Sequence, residues 1–461
     1  MDFRSLKFVA DACAGEQFGG SQCVLINRVC SDSRQAQAGD LFFALSGGRF
    51  DGHDFLGEVA RKGVAAMVVA RERRPEDAGT AAVIAVDDPR RALGRLAARY
   101  RQDFSVPMIA VGGSNGKTTT KELLASVLRQ NFRTLWSEAS FNNDIGVPLT
   151  LLKLSAEHQA AVFEAGTNHP GELAPLVRMI QPKFGIITSI GREHLEFFGD
   201  MAGVAEEEGW LAELLPADGK LFVNGDSEWA EAVARRTKAN VVKVGLNERN
   251  DWSASEMATD AEGMNFRVRS PRPEFCRSYR IKLLGRHQAL NALFALAVGA
   301  ELGVEPEQAA QGLAESKPAK MRLEPLIWNG ICVLNDAYNA NADSMAAALE
   351  TVQAMPCSGR RVAVLGDMGE LGSHSVAAHE EVGKRAAQVG LDQLFTVGEL
   401  ARVIAESARR AGMSAIQEFT DMAQAANAVK SFLKSGDVVL LKASRSARLE
   451  RIVEALRGDP I

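Results

Sequence analysis

Apolar positions in this chain gather into short runs, set apart by polar turns and by stretches of helical spacing. Within the first 86 residues the runs 41–45 (Leu-Phe-Phe-Ala-Leu) and 66–70 (Ala-Met-Val-Val-Ala) predict short strands of a small α/β unit. The stretch 86–89 (Val-Asp-Asp-Pro) reads as a linker into a helix over about 90–101. A strand at 108–111 (Met-Ile-Ala-Val) breaks into Gly112, Gly113 and Gly116, after which Lys117 and Thr118 open a helical pattern to about residue 130. Runs 160–163 and 184–190 predict two more strands. Over 200–215, Val204, Glu208, Leu211 and Leu215 recur at i, i+4, i+7 and i+11, which puts one carboxylate on the apolar face of an amphipathic helix. A strand with a turn follows at 221–226; the polar, mixed stretch to about 279 then leads into an Ala/Leu-rich helix.

Near Pro318 the pattern resets. Strands at 332–335, 361–365, 394–397 and 438–441 alternate with helices around 345–355, 376–389, 400–411 and 423–433, which calls for a parallel sheet covered on both faces. A length of 461 residues suits roughly three domains. The expectation is an α/β protein with a small α/β N-terminal domain (1–86), a central P-loop domain with a mostly parallel sheet (87–317) and a C-terminal Rossmann-like parallel α/β domain (318–461).

Composition narrows the function classes. With 46% hydrophobic and 24% charged residues and a net charge of -5, nothing electrostatic favours nucleic acid or an anionic membrane as partner. No apolar run approaches the ~20 residues that span a bilayer, and the N-terminus MDFRSLKFVADACAG lacks the signal-peptide pattern. Cys13, Cys23, Cys30, Cys276, Cys332 and Cys357 show no Cys-x-x-Cys spacing, so reduced thiols in the cytoplasm are expected.

The chemistry begins at Gly113-Ser-Asn-Gly-Lys-Thr-Thr119. Strand, glycines, Lys-Thr and helix in that order make a phosphate loop: freed amides and a helix N-terminus face an anion, Lys117 reaches terminal phosphates, and the Thr118 hydroxyl can hold Mg²⁺. Three residues rather than four separate Gly112 from Gly116, a shortened spacing. Ligands of open parallel sheets sit at the carboxyl ends of strands. Two polar clusters fall there, 164–169 (Glu-Ala-Gly-Thr-Asn-His) and 191–194 (Gly-Arg-Glu-His), so Glu164 and His194 are candidates for one site with Lys117 and Thr118. The acidic run Glu206-Glu207-Glu208 has the composition of a solvated surface, against which the helical position of Glu208 stands out. The turns 31–34 and 47–54 read equally as plain loops or as ligand contacts; His287 and Asn291 are the polar exceptions in their helix.

Taken as an ordered set, Asp32-Ser-Arg34, Gly39-Asp-Leu-Phe-Phe-Ala-Leu45, Asp51-Gly-His-Asp-Phe55, the phosphate loop, Phe141-Asn-Asn-Asp-Ile-Gly146, Glu164 to His169, His194-Leu-Glu196, Met321-Arg-Leu-Glu324, Asn335 to Asn341 and Gly366-Asp-Met-Gly-Glu-Leu-Gly372 resemble the Mur ligases. These are ATP-dependent, amide-forming enzymes of peptidoglycan precursor synthesis. Within that family the chain looks like the members that add D-alanyl-D-alanine to UDP-N-acetylmuramoyl-tripeptide through an acyl phosphate. The resemblance implies a UDP-sugar-nucleotide domain, a central ATP-binding domain and a C-terminal ligase domain, with ATP and two Mg²⁺ sites; a monomer in the cytoplasm is expected. By this likeness Ser33, Arg34, Gly47 and His53 would meet the UDP end, and Asn142, Asn143, Asn168 and His169 the peptide. Gly113, Ser114, Asn115, Gly116, Lys117, Thr118, Thr119, Asn291, Arg322, Asp336, Tyr338 and Asn339 would bind ATP. Lys117, Glu164, His194 and Glu208 would be catalytic, with Thr118, Glu164, His194 and Glu208 on metal.

Three positions depart from the family pattern. Glu208 stands where members generally carry a carbamylated lysine, and its carboxylate is expected to do that job directly or through water. Gln288 replaces the usual Asn after His287, and Ala342 the usual Pro after Asn341, which bears on the adenine pocket and its neighbouring turn. Competing readings are a folylpolyglutamate-synthase-like ligase, the ligase adding the third peptide residue, and a nucleotide-binding regulator without catalysis. Asp32-Ser-Arg34 speaks against the first, and Asp367-Met-Gly-Glu-Leu-Gly372 in place of an Asp-Asn-Pro-Arg segment against the second.

Overall fold

The computed structural model describes residues 1–48 and 50–458. Arg49, inside the 47–53 turn named above, and residues 459–461 of the third expected domain lie outside the described residues. Three sheets carry three α/β domains, and the chain divides into two compact units: residues 1–110, 132–167 and 172–184 form one, residues 111–131, 168–171 and 185–461 the other.

In the first unit a five-stranded sheet runs in the order Glu16–Phe18, Ala82–Val86, Ala66–Ala70, Leu41–Phe43, Val29–Cys30. Its last four strands are parallel, and the edge strand Glu16–Phe18 is antiparallel. One face packs Phe42, Met67, Val69 and Val83 against Leu56 and Val59 of the short helix Leu56–Arg61. Helix Pro89–Arg101 starts where the linker predicts, because Asp88 Oδ1 accepts the amides of Arg90 (2.8 Å) and Arg91 (3.1 Å). The same unit holds the start of strand Met108–Gly112 beside Ala160–Glu164, which pairs in parallel with Thr134–Trp136.

In the second unit the end of Met108–Gly112 is followed across the sheet by Phe184–Ile187, Lys220–Asn224, Asn240–Gly245, Trp252–Asp260, Gly263–Arg269 and Ser278–Ile281. The last three are antiparallel neighbours. The polar, mixed stretch to about residue 279 holds four of these strands, none of them among the predicted elements. Met264, Phe266 and Val268 are buried while Asn265, Arg267 and Arg269 are exposed, a period of two whose outward Arg and Asn residues give the segment its polar composition. Strand 184–190 also ends earlier than predicted, at Ile187.

The C-terminal sheet runs Glu324–Trp328, Ile331–Asp336, Val438–Lys442, Arg361–Gly366, Gln393–Val397, Ile416–Phe419, parallel except for its first strand. Leu334, Ala363, Leu365 and Leu440 face one apolar cluster and Val333, Val362, Val364 and Val439 the other, so both faces are covered as predicted. Both edge strands and the last helix, Glu450–Arg457, are additions to the predicted set. No helix among the described residues is long and apolar enough to cross a membrane.

Candidate active site

Strand Met108–Gly112 is buried throughout and delivers the glycine turn to helix Lys117–Leu128. Gly113 (φ +107°) and Gly116 (φ +88°) take left-handed conformations, and a Cβ would lie 2.5 Å from Thr188 Oγ1 at the first and 2.5 Å from Asn291 Oδ1 at the second. The turn is tied to the strand beside it: the Ser114 amide donates to Ser189 O (2.8 Å) and the Asn115 amide to Ser189 Oγ (2.8 Å). Gly116 is the helix N-cap and no side chain caps this end, so the N-terminal amides of Lys117–Leu128 form the anion-facing part of the loop. The Lys117 ammonium donates to Gly113 O and lies 3.3 and 3.5 Å from the two carboxylate oxygens of the buried Glu193.

Glu208 lies on helix Met201–Glu213, which Asp200 caps through the Gly203 amide. It is 1% exposed; its Oε2 accepts the Gly113 amide at 2.6 Å, while its Oε1 is buried without a hydrogen-bond partner among the described residues. Burial pushes its carboxyl up to about 7, with Glu193 and Glu207 acting in the same direction and Lys117 and the Gly113 amide opposing. Burial likewise raises Glu193. The surface reading of the acidic run is corrected at Glu207, and Glu208 is buried as its helical position predicts. Glu206 is exposed beside Arg236, but Glu207 is buried and accepts the Gly171 amide at 2.8 Å. Consecutive helical residues diverge by only ~100°, so a wide buried face takes in neighbours.

Two further candidate metal oxygens share the condition of Glu208 Oε1. Thr118 Oγ1 and Glu164 Oε2 are both buried and without a partner among the described residues. Glu164 ends its strand in the first unit, where its Oε1 accepts from Asn142 Nδ2 (3.0 Å). Asn143 Oδ1 accepts the Gly146 amide (2.9 Å), shaping the turn into helix Gly146–Leu151. His194 lies in the second unit, with φ +51°, Nδ1 bonded to Glu370 Oε2 and Nε2 3.9 Å from Glu193 Oε2.

The other predicted contacts fall as follows. Asn291 is buried, accepts from Thr120 Oγ1 (3.2 Å) and donates to Gln288 Oε1 (2.8 Å). Gln288 Nε2 in turn lies 3.0 Å from Nε2 of His287, whose ring burial holds near 4. Asp336 accepts the Leu323 amide (2.9 Å) and Lys442 Nζ (2.6 Å), and the Arg322 guanidinium covers the Tyr338 ring at 4.3 Å. Asn339 Oδ1 accepts the Ala340 amide. Ala342 in place of Pro leaves its turn intact, since Asn341 and Ser344 form a capping box. His169 stacks on Phe197 (4.1 Å), with Asn168 beside it in sequence. In the turns beside the N-terminal sheet, Ser33 O accepts from Lys62 Nζ (2.7 Å), Arg34 forks onto Asp32, and the Gly47 amide donates to Phe50 O (2.9 Å). His53 is used internally at both ring nitrogens, by Asp51 (2.7 Å) and by the Ala70 amide (3.0 Å). Sequence reasoning passed over Glu193, Arg192, Asp343 and Glu370. Glu193 and Arg192 adjoin His194 in a cluster it had marked, but the burial of the one and the partners of the other are tertiary facts.

A phosphate loop whose strand, glycines and lysine are walled by buried carboxylates, ahead of a second parallel sheet, defines a nucleotide-dependent ligase framework of the Mur type, and the chain belongs to the Mur ligase family. Three family models match it in order: "Mur ligase family, catalytic domain" over residues 25–101, "Mur ligase middle domain" over 111–299 and "Mur ligase, glutamate ligase domain" over 321–445. A curated relative from Bacillus subtilis (strain 168), named UDP-N-acetylmuramoyl-tripeptide--D-alanyl-D-alanine ligase, is 36% identical over 99% of both chains. Among solved structures, MurF from Acinetobacter baumannii is similar with a TM-score of 0.89 at 31% identity, covering 100% of each chain. MurF ligase from Thermotoga maritima in complex with ADP is similar with a TM-score of 0.81 at 27% identity, covering 94% of this chain and 97% of that one.

Proposed function

We propose that this chain joins D-alanyl-D-alanine to UDP-N-acetylmuramoyl-tripeptide at the expense of ATP, forming ADP and phosphate in peptidoglycan precursor synthesis. The observation that carries the proposal is the full-length likeness to a ligase of that name at 36% identity, in a chain that keeps the phosphate loop and its lysine. The same proposal assigns residues 1–86 to the UDP sugar nucleotide, 87–317 to ATP and 318 onward to ligation, in a cytoplasmic monomer.

A peptide carboxylate is a poor acyl donor. It attacks the γ-phosphorus of ATP, the bond to the ADP oxygen breaks, and an acyl phosphate forms. The free amine of the dipeptide then adds to the acyl carbon, loses a proton, and the tetrahedral adduct expels phosphate. Such transfers between anions depend on charge neutralisation and alignment more than on protein nucleophiles. Lys117 leaves the Gly113 carbonyl and Glu193 for the terminal phosphates, and the opening amides of its helix hold the chain of phosphates. Asn291 flanks the adenine, with Arg322, Asp336, Tyr338 and Asn339 approaching the nucleotide from the C-terminal sheet. Ser33, Arg34, Gly47 and His53 serve the UDP end, His53 by bracing Asp51 and Ala70. Asn142, Asn143, Asn168 and His169 line the peptide path.

The donor set fits Mg²⁺, a hard ion that takes oxygen ligands. Thr118, Glu164 and Glu208 each have a side-chain oxygen that is buried without a partner among the described residues, and the family resemblance adds His194 to the proposed ligands. Bound there, Mg²⁺ supplies neutralisation of phosphate charge. Glu208 brings its own carboxylate, so activity is independent of added bicarbonate.

The test is isotopic. UDP-tripeptide carrying ¹⁸O in its terminal carboxylate should pass one ¹⁸O to the released phosphate during dipeptide-dependent turnover. Phosphate free of ¹⁸O excludes the acyl-phosphate route.

A further inference from the structure

Residues 191–194 face two ways within the second unit. Toward the phosphate loop, the Gly191 amide donates to Ser114 Oγ (2.8 Å), Ser114 Oγ donates to Gly191 O (3.2 Å), and Glu193 holds Lys117. Toward the C-terminal helices, the Arg192 guanidinium lies between two carboxylates. Its Nε and one terminal nitrogen donate to Asp343 Oδ1 (2.9 and 2.6 Å), and both terminal nitrogens donate to Glu381 (2.5 and 2.9 Å). The Arg192 backbone amide adds a bond to Asp343 Oδ2 (2.9 Å). Asp343 sits in the first turn of helix Ala342–Ala354, where the helix dipole favours its charge, and Glu381 sits on helix Ser375–Gln388. One residue before that first turn, Asn341 donates from Nδ2 to Asn115 Oδ1 of the phosphate loop (3.0 Å).

Arg192 is one-third exposed, and single pairs at that exposure add little to stability. A fork gripping two carboxylates at once, with the backbone joining in, fixes direction more than it adds binding energy. We propose that Arg192 is a positioning residue for the ligase reaction. It clamps the start of helix Ala342–Ala354 and the flank of Ser375–Gln388, which keeps Asn341 on the phosphate loop and holds Glu193 and His194 in register with Lys117. The inference rests on the ligase reading above. A reacting group displaced by about 1 Å costs on the order of 10²-fold in rate, which sets the scale of the effect.

The experiment compares Arg192→Ala, Arg192→Lys, Glu381→Ala and the Arg192→Ala/Glu381→Ala double variant, all as full chains. Dipeptide-dependent phosphate release gives kcat and the KM for ATP, a non-hydrolysable ATP analogue gives nucleotide affinity, and hydrogen exchange of residues 341–350 is followed without ligands. In Arg192→Ala, kcat should fall on the order of 10- to 10²-fold while analogue affinity stays within about threefold, and exchange at 341–350 should speed up about tenfold. Arg192→Lys, which keeps the charge but loses the fork, should recover part of the rate. Glu381→Ala should cost nothing further once Arg192 is gone. Unchanged kcat in Arg192→Ala overturns the proposal, and so does full additivity of the two alanine variants. Should Arg192→Ala fail to fold, Glu381→Ala and Arg192→Lys carry the same comparison: wild-type kcat in both overturns it. If the wild type shows no dipeptide-dependent phosphate release, the ligase reading fails; the clamp is then judged by exchange, and unchanged protection overturns it.

Discussion

The C-terminal sheet and the surroundings of the phosphate loop are built from the same alternation of strand and helix, yet they bury opposite kinds of side chain. In the C-terminal sheet, strands Arg361–Gly366 and Val438–Lys442 send successive residues to two apolar clusters, and the charge of Lys442 appears only at a strand end, paired with Asp336. Around the loop, Lys117, Glu193, Glu207 and Glu208 are buried or nearly so, and two of those carboxyls are raised by burial. Apolar burial builds a rigid frame at no electrostatic cost. Buried charge costs stability and repays it only if a ligand arrives to be held. The difference marks where the frame ends and the chemistry starts.

Substitutions separate the two regions. Lys117→Ala should abolish ADP formation, on the order of 10³-fold or more, with the fold intact by circular dichroism; near-normal turnover would sink the assignment of the loop. Glu208→Ala should lower kcat on the order of 10²-fold and raise the Mg²⁺ concentration needed for half-maximal rate, while the wild type ignores added bicarbonate. An unchanged rate and Mg²⁺ dependence would count against a metal role. On the frame side, Leu440→Ala, at a fully buried position, should cost about 2–5 kcal/mol in denaturant unfolding and leave the activity per folded molecule alone.

The smallest effect is a pH dependence that only the charged region predicts. The Glu208 carboxyl is raised from an ordinary 4.5 to about 7, so the folded chain binds a proton that the unfolded chain releases between those values. Its contribution is therefore present at low pH and is lost as pH rises through that window, on the order of 3 kcal/mol for a fully buried group. Metal-free protein should melt at lower temperature at pH 7.5 than at pH 5.5, and Glu208→Gln should flatten the slope. An equal slope in both proteins would show that the Glu208 carboxyl does not titrate between those pH values, against its raised value.

How much was legible follows the same division. Helix Pro89–Arg101 was readable from its apolar spacing, and strand Ala66–Ala70 and the four central C-terminal strands from short unbroken apolar runs bounded by turns. In the meander Trp252–Asp260, Gly263–Arg269, Ser278–Ile281, the middle strand alternates buried and exposed residues, but its outward Asn265, Arg267 and Arg269 make it polar by composition. Strand Trp252–Asp260 has no regular alternation. The phosphate loop announced itself through glycines and Lys117. Glu208 was singled out by helical position alone, whereas its neighbour Glu207 looked like surface. Arg192 and Asp343 stand 151 positions apart, and no local pattern brings such a pair together.

The central claim is that the buried charge around Lys117 serves ligation and not mere nucleotide binding. Phosphate release measured with ATP and Mg²⁺, with the UDP-tripeptide and D-alanyl-D-alanine supplied singly and together, tests it most directly. Sustained release only when both are present is the predicted result. Release that ignores the dipeptide, or no release with nucleotide still bound, would contradict it.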